Sequence, residues 1–191
     1  MRRHNSIRNR FCPFAAAAHL QPELEKPGLL PPSPKQPDAD RRRPADVYVP
    51  SWQQGAPASF DFAVASPVRQ DAVLQASLRP GAAATAYEQF KRTYLDTALD
   101  CQRQGISFIP LVAEPSGGWG PSAQCVFKAI ARAISTLSGR SSGVELREHR
   151  QAFCVLLRQA NARAIFSRTP DFRSLELDPL VSARQVLDAS Q

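Results

Sequence analysis

Two short apolar stretches, ADVYVP (45–50) and ASFDFAVAS (58–66), are joined by SWQQGAP, a segment of turn composition. Val, Tyr and Phe suit the pleated, half-buried surface of a strand, and Gly and Pro interrupt it. The pattern predicts a hairpin, and with it a sheet as the organising layer of the fold. Side chains alternate faces along a strand. Phe60, Phe62 and Val64 therefore share the natural core face, while Asp61 and Ala63 share the other. Asp46, between Ala45 and Val47, opens the first strand. Two readings stay open for these acids. They are exposed at a sheet edge, as Asp commonly is near turns, or the hairpin brings them together to hold a divalent cation.

The rest of the chain supplies helices for such a sheet. Residues 4–20 place Ile7, Phe11, Phe14 or Ala15, and Ala18 at helical spacing, with Pro13 expected to bend or restart the helix. ELEKPGLL (23–30) reads as a short strand, and PPSPKQPDADRRRP, with five prolines in fourteen residues, as a surface loop. Residues 67–81 suggest one short helix ending at Pro80-Gly81. Residues 82–104 form a clear helix that Gly105 terminates, and ISFIPLVAE (106–114) is a further strand. PSGGWGPS is a glycine turn, followed by helices at 121–138 and 144–168. The fold class is α/β, a small mixed four-stranded sheet flanked by helices, with two extra C-terminal helices. Residues 1–118 are the core with a disordered loop at 31–43, 119–168 a helical extension of the same domain, and 169–191 a loosely ordered tail.

Hydrophobic residues make up 43% of the 191, enough for one ordinary domain. No apolar run approaches the ~18 residues of a membrane span. Cys12, Cys101, Cys125 and Cys154 form no CxxC pair, which argues against zinc and for free thiols in a reducing compartment. With no signal peptide read, the expected location is nuclear or cytoplasmic. The net charge of +7 is uneven. Residues 1–43 hold nine Lys/Arg against four Asp/Glu, 44–113 five against six, and 114–191 ten against seven. A near-neutral middle with basic flanks suits a polyanion such as DNA, and equally an Arg-rich solvated surface. Arg2, Arg3, Arg8 and Arg10 in the first helix and Arg147 and Arg150 in the last are the candidate phosphate contacts.

Like charges at close range repel unless a cation stabilises them. Mg²⁺ is commonly held by one or two carboxylates, waters and a substrate phosphate, and it can activate a water against a phosphodiester. Glu25 is a further acid that could join Asp46 and Asp61 at a metal. Lys91 bears on the same question. Tyr87, Lys91, Tyr94, Ala98 and Cys101 fall on one helical stripe, so Lys91 is a cation on a largely apolar face. Either its ammonium snorkels to water, or it is delivered beside the carboxylates to stabilise charge on a phosphate.

The order helix, three strands, helix, strand, with an acid in the second strand and another in the third, resembles the PD-(D/E)xK or restriction-endonuclease-like core. RPAD (43–46), then Asp61 in DFAV, Lys91 and Tyr94 in EQFKRTYLD, ISFIPLV and GGWG are similar to one branch of it. That branch is the C-terminal endonuclease domain of non-LTR retrotransposon reverse-transcriptase polyproteins. RRHNSIRN resembles the His-Asn helix that precedes its nuclease strands. The resemblance covers roughly residues 3–168. It implies a Mg²⁺- or Mn²⁺-dependent nick in DNA that frees a 3′ end to prime reverse transcription. Asp46 and Asp61 match the metal carboxylates, Lys91 the displaced basic residue and Tyr94 its companion.

The chain departs from that pattern in two ways. Ala45 stands between Pro44 and Asp46, and Ala63 occupies the position two residues after the second acid where a lysine is expected. An active site of this kind therefore needs the helix-borne Lys91. Without a reverse-transcriptase segment or zinc knuckle, the chain reads as a detached C-terminal piece. The alternative expectation is an inactive DNA-binding or scaffold remnant of the same fold.

Overall fold

The computed structural model describes residues 2–32, 45–70 and 72–168. Four strands form one mixed sheet in sequential order: β1 (Glu23–Leu24), β2 (Val47–Val49), β3 (Ala58–Val64) and β4 (Ser107–Ala113). β1–β2 and β2–β3 are antiparallel, with Val47 opposite Phe60, and β3–β4 are parallel, with Asp61 opposite Pro110. A parallel return needs a crossover. Here it consists of α2 (Val73–Leu78), α3 (Ala82–Thr93) and α4 (Thr97–Arg103). α1 (Arg2–Ala17) precedes the sheet, and α5 (Pro121–Ser138) and α6 (Ser142–Phe166) follow it. The mixed α/β architecture with two C-terminal helices is thus as expected.

Alternation along the strands divides the core. On one face, Val47, Val49, Phe60, Phe62 and Leu111 pack against Ile7, Phe11 and Phe14 of α1, with Phe127 and Ile130 of α5 and Phe153 of α6. The rings of Phe60 and Phe62 each lie about 5 Å from that of Phe11, at 5.2 and 5.1 Å. On the other face, Phe108 meets Cys101 of α4, and Val112 and Ala63 meet Ala83 and Ala84 of α3. Small residues on both sides let α3 lie close against the sheet.

The boundaries differ from expectation where backbone conformation intervenes. α1 runs through Pro13 as one helix, and the proline is exposed. The strand expected over 23–30 shrinks to two residues, because Glu25 takes a left-handed φ of 46° and Pro27-Gly28 follows. The helix expected over 82–104 is broken by a 3₁₀ turn at Tyr94–Asp96, where Leu95 and Asp96 have φ of 54° and 56°. Gly105, at φ 69°, follows α4 as the terminator. β4 is an edge strand containing Pro110. The Val112 carbonyl accepts the Gly120 N–H (2.9 Å) on the side away from β3. By alternation, the donor Pro110 lacks would also face that edge, so no β3 ladder bond is lost. Of the loop expected at 31–43, residues from 33 on lie outside the described residues, as does the tail expected at 169–191. Among the described residues no helix is long and apolar enough to cross a membrane.

PSGGWGP is more than a turn, because it makes room for two buried glutamates. Glu114, at the end of β4, accepts the N–H groups of Gly81 (3.2 Å), Ala83 (2.9 Å) and Ala84 (3.2 Å) at the start of α3. Glu88, within α3, accepts those of Ser122 (3.0 Å) and Ala123 (3.4 Å) at the start of α5. These donors have no partner inside their own helices, and a carboxylate also suits the positive end of a helix. A Cβ on Gly118 would stand 2.6 Å from Glu114 Oε2, and one on Gly120 would overlap Glu88 Oε1. Only glycine leaves space for both acids.

Candidate active site

Asp61 projects from the α3 face of β3, and α3 brings Lys91 to it. Lys91 Nζ lies 2.8 Å from Asp61 Oδ2, with the two side chains 23% and 17% exposed. Asp61 Oδ2 is shut off from solvent and has no well-aligned hydrogen bond, so the contact is an ion pair. Burial raises the Asp61 carboxyl above its ordinary value, against the downward pull of Lys91. For Lys91, burial acts to lower the value, but the Asp61 carboxylate outweighs it and the net shift is upward. Ala63 shares Asp61's face and packs with Ala83, Ala84 and Tyr87. Its small side chain leaves room for the helix that carries Lys91 to settle against the sheet.

Asp46 is held from three sides. Its N–H donates to the Phe60 carbonyl (3.0 Å), and its own carbonyl accepts the Glu25 N–H (3.0 Å). Its Oδ2 accepts the Phe62 N–H at 2.7 Å, which holds the carboxylate at the end of the β2–β3 ladder, against the residue that follows Asp61. The same oxygen lies 2.7 Å from His4 Nε2 of α1. The hydrogen bond to Asp46 is the main cause raising the His4 pKa above its ordinary value, burial opposing it. Asp46 also acts to raise Asp61, and His4 to lower it. The four groups are electrostatically one cluster.

The remaining expected residues have other partners or positions. The Glu25 carboxylate pairs with Arg8. Among the described residues, no three His, Cys, Asp or Glu side chains are grouped so as to hold one metal ion. Tyr94, in the break after α3, has its ring 5.2 Å from that of Phe90. Arg8 is turned to Glu25 and Asn9, and Arg10 is half-buried near His149. Arg147 and Arg150 are exposed on α6, in the layer opposite α3. The side chains of Arg2 and Arg3 lie outside the described residues. His4 is the participant that spacing did not single out. It lies 42 positions before Asp46, and its visible signals are its place in line with Ile7 and Phe11 on the first helix and the likeness of RRHNSIRN noted above.

The class so defined is a mixed α/β domain with a partly buried cluster of two aspartates, a lysine and a histidine. Compared with protein-family models, curated proteins and solved structures, the chain matches none.

Proposed function

We propose that this is a metal-dependent DNA endonuclease domain with a restriction-endonuclease-like αβββαβ core, derived from a retroelement. In this reading it nicks target DNA so that the freed 3′ end primes synthesis by an upstream reverse-transcriptase domain. The observation that carries it is the 2.8 Å contact between Lys91 and Asp61 beside Asp46. A helix-borne lysine reaches the carboxylates although the strand position holds Ala63. Mg²⁺, or Mn²⁺, fits a site with only two carboxylates, because it keeps several waters and a substrate phosphate. Asp46 and Asp61 would hold it through the oxygens not engaged by His4, Phe62 and Lys91. The ion would supply polarisation of the phosphodiester and an activated water. Lys91 would balance negative charge on the phosphate oxygens. His4 and the Phe62 amide fix the orientation of the Asp46 carboxylate.

One observation favours a second reading. Each aspartate already has a basic side-chain partner, His4 for Asp46 and Lys91 for Asp61. That is sufficient for an inactive DNA-binding or scaffold module. Nicking of supercoiled plasmid with Mg²⁺ or Mn²⁺ separates the two. The wild-type chain should nick, and Asp46→Ala, Asp61→Ala and Lys91→Ala should each lose on the order of 100-fold or more. Wild-type activity no higher than that of Asp61→Ala removes the enzyme reading. DNA binding that weakens with salt would then support the module.

A further inference from the structure

The cluster has an aromatic margin. Tyr87 and Phe90 on α3, and Tyr94 just past its end, are spaced by three and four residues and so rise along one side of the helix. The ring centroids are 5.5 Å apart for Tyr87–Phe90 and 5.2 Å for Phe90–Tyr94. Phe90 and Tyr94 are each 48% exposed. Aromatic rings carry large hydrophobic area, and their usual place is buried. This ladder borders Lys91, which lies one turn after Tyr87 and next to Phe90 on α3. At its inner end is a cleft of about 180 Å³, lined by Ala65, Ser66, Arg69, Ala72, Tyr87 and Phe90 among others. That is room for one flat ring system, not for a folded partner.

Cations flank the ladder. Arg69 lines the cleft with Tyr87 and Phe90, and Lys91, paired with Asp61, lies one turn from Tyr87. Glu88, the acid within α3, is buried and committed to the start of α5. Open ring faces beside cations form the combination that holds nucleic acid with splayed bases, the cations tracking phosphates and the rings stacking on bases. An intact duplex keeps its base faces inside the stack and offers only edges and backbone.

We propose that Tyr87, Phe90 and Tyr94 form a stacking platform for unpaired bases, so that the Asp46–Asp61–Lys91 site takes single-stranded or locally melted nucleic acid. This rests on the nucleic-acid reading above but not on cleavage. The test is fluorescence anisotropy of the full chain in EDTA. The probes are a labelled oligothymidine, the corresponding duplex, and an abasic oligomer of equal length. The single strand should bind more tightly than the other two. Phe90→Ala should weaken it by roughly 10-fold, the loss of about one stacked base. The slope of affinity against salt should stay unchanged, and Phe90→Tyr should restore binding. Equal affinity for thymidine and abasic oligomers, or no effect of Phe90→Ala, overturns the proposal even if plasmid nicking is intact. So does a Phe90→Ala effect confined to self-association in sedimentation. Single-strand binding that depends on Phe90 while nicking is absent supports the platform and removes only the endonuclease.

Discussion

Glu88 and Glu114 are buried acids whose partners are mostly backbone N–H groups, whereas Asp46 and Asp61 face the side chains of His4 and Lys91. A backbone amide cannot titrate, and it moves only with its helix. A side-chain cation can do both. The first pair therefore belongs to the framework, joining β4 to α3 and α3 to α5. The second pair depends on counter-charges that can titrate or swing away. The framework acids are also the more deeply buried of the two pairs.

The largest effect should come from the framework pair. Glu114→Ala strands the Gly81, Ala83 and Ala84 amides and should cost about 3 kcal/mol in urea denaturation. Gly118→Ala should move in the same direction, because its Cβ meets Glu114 Oε2 at 2.6 Å. A Glu114→Ala loss below about 0.5 kcal/mol, the range of ordinary surface changes, would erase the distinction.

Next comes the ion pair. Lys91→Met and Asp61→Asn should each destabilise by about 2 kcal/mol, less than for a wholly buried pair because both side chains keep some contact with water. The double variant should lose clearly less than the sum of the singles. Strict additivity in that cycle would mean that the two groups do not interact energetically.

The smallest effect is a slope with pH, and two histidines should show it with opposite sign. His4 is raised in the fold, so its stabilisation is complete below the unfolded value of 6.5 and is lost as pH rises through its higher folded value. His149 is stacked on Phe14 with ring centroids 4.0 Å apart, and is lowered by burial first and by Arg10 second. Glu145 and Glu148 act to raise it and Arg140 to lower it. Its contribution is present above 6.5 and is lost as pH falls through its lower folded value. Stability measured from mildly acidic to mildly basic pH should fall less steeply on the basic side for His4→Gln, and less steeply on the acidic side for His149→Gln. Slopes that change together would show that the His4 link to Asp46 is not an independent contact.

Local pattern carried much of this fold. The stripe Ile7, Phe11, Phe14, Ala15 and Ala18 is buried throughout, and the hairpin pairs as its alternation requires. Lys91 stood out because a cation on an apolar stripe is a local anomaly, and it is paired with Asp61. Contacts between distant residues were not legible. Neither the 42-residue separation of His4 and Asp46 nor the reach of Glu114 back to Gly81 leaves a periodic trace. The break at 94–96 was hidden because Leu95 and Asp96 adopt φ values that a helical pattern does not announce. GGWG showed its glycines but not the carboxylates they accommodate.

Lys91 is carried by α3 while Asp61 lies on β3, so two different elements control the ion pair. Lys91 sits in the last turn of α3, nine residues beyond Ala82 where Glu114 grips the first turn. At 1.5 Å per residue the two ends are about 14 Å apart. Glu88, three residues before Lys91, ties the same helix to the start of α5. The ammonium is thus carried on a rod anchored near both ends, and its place beside Asp61 rests on backbone contacts made by two other acids.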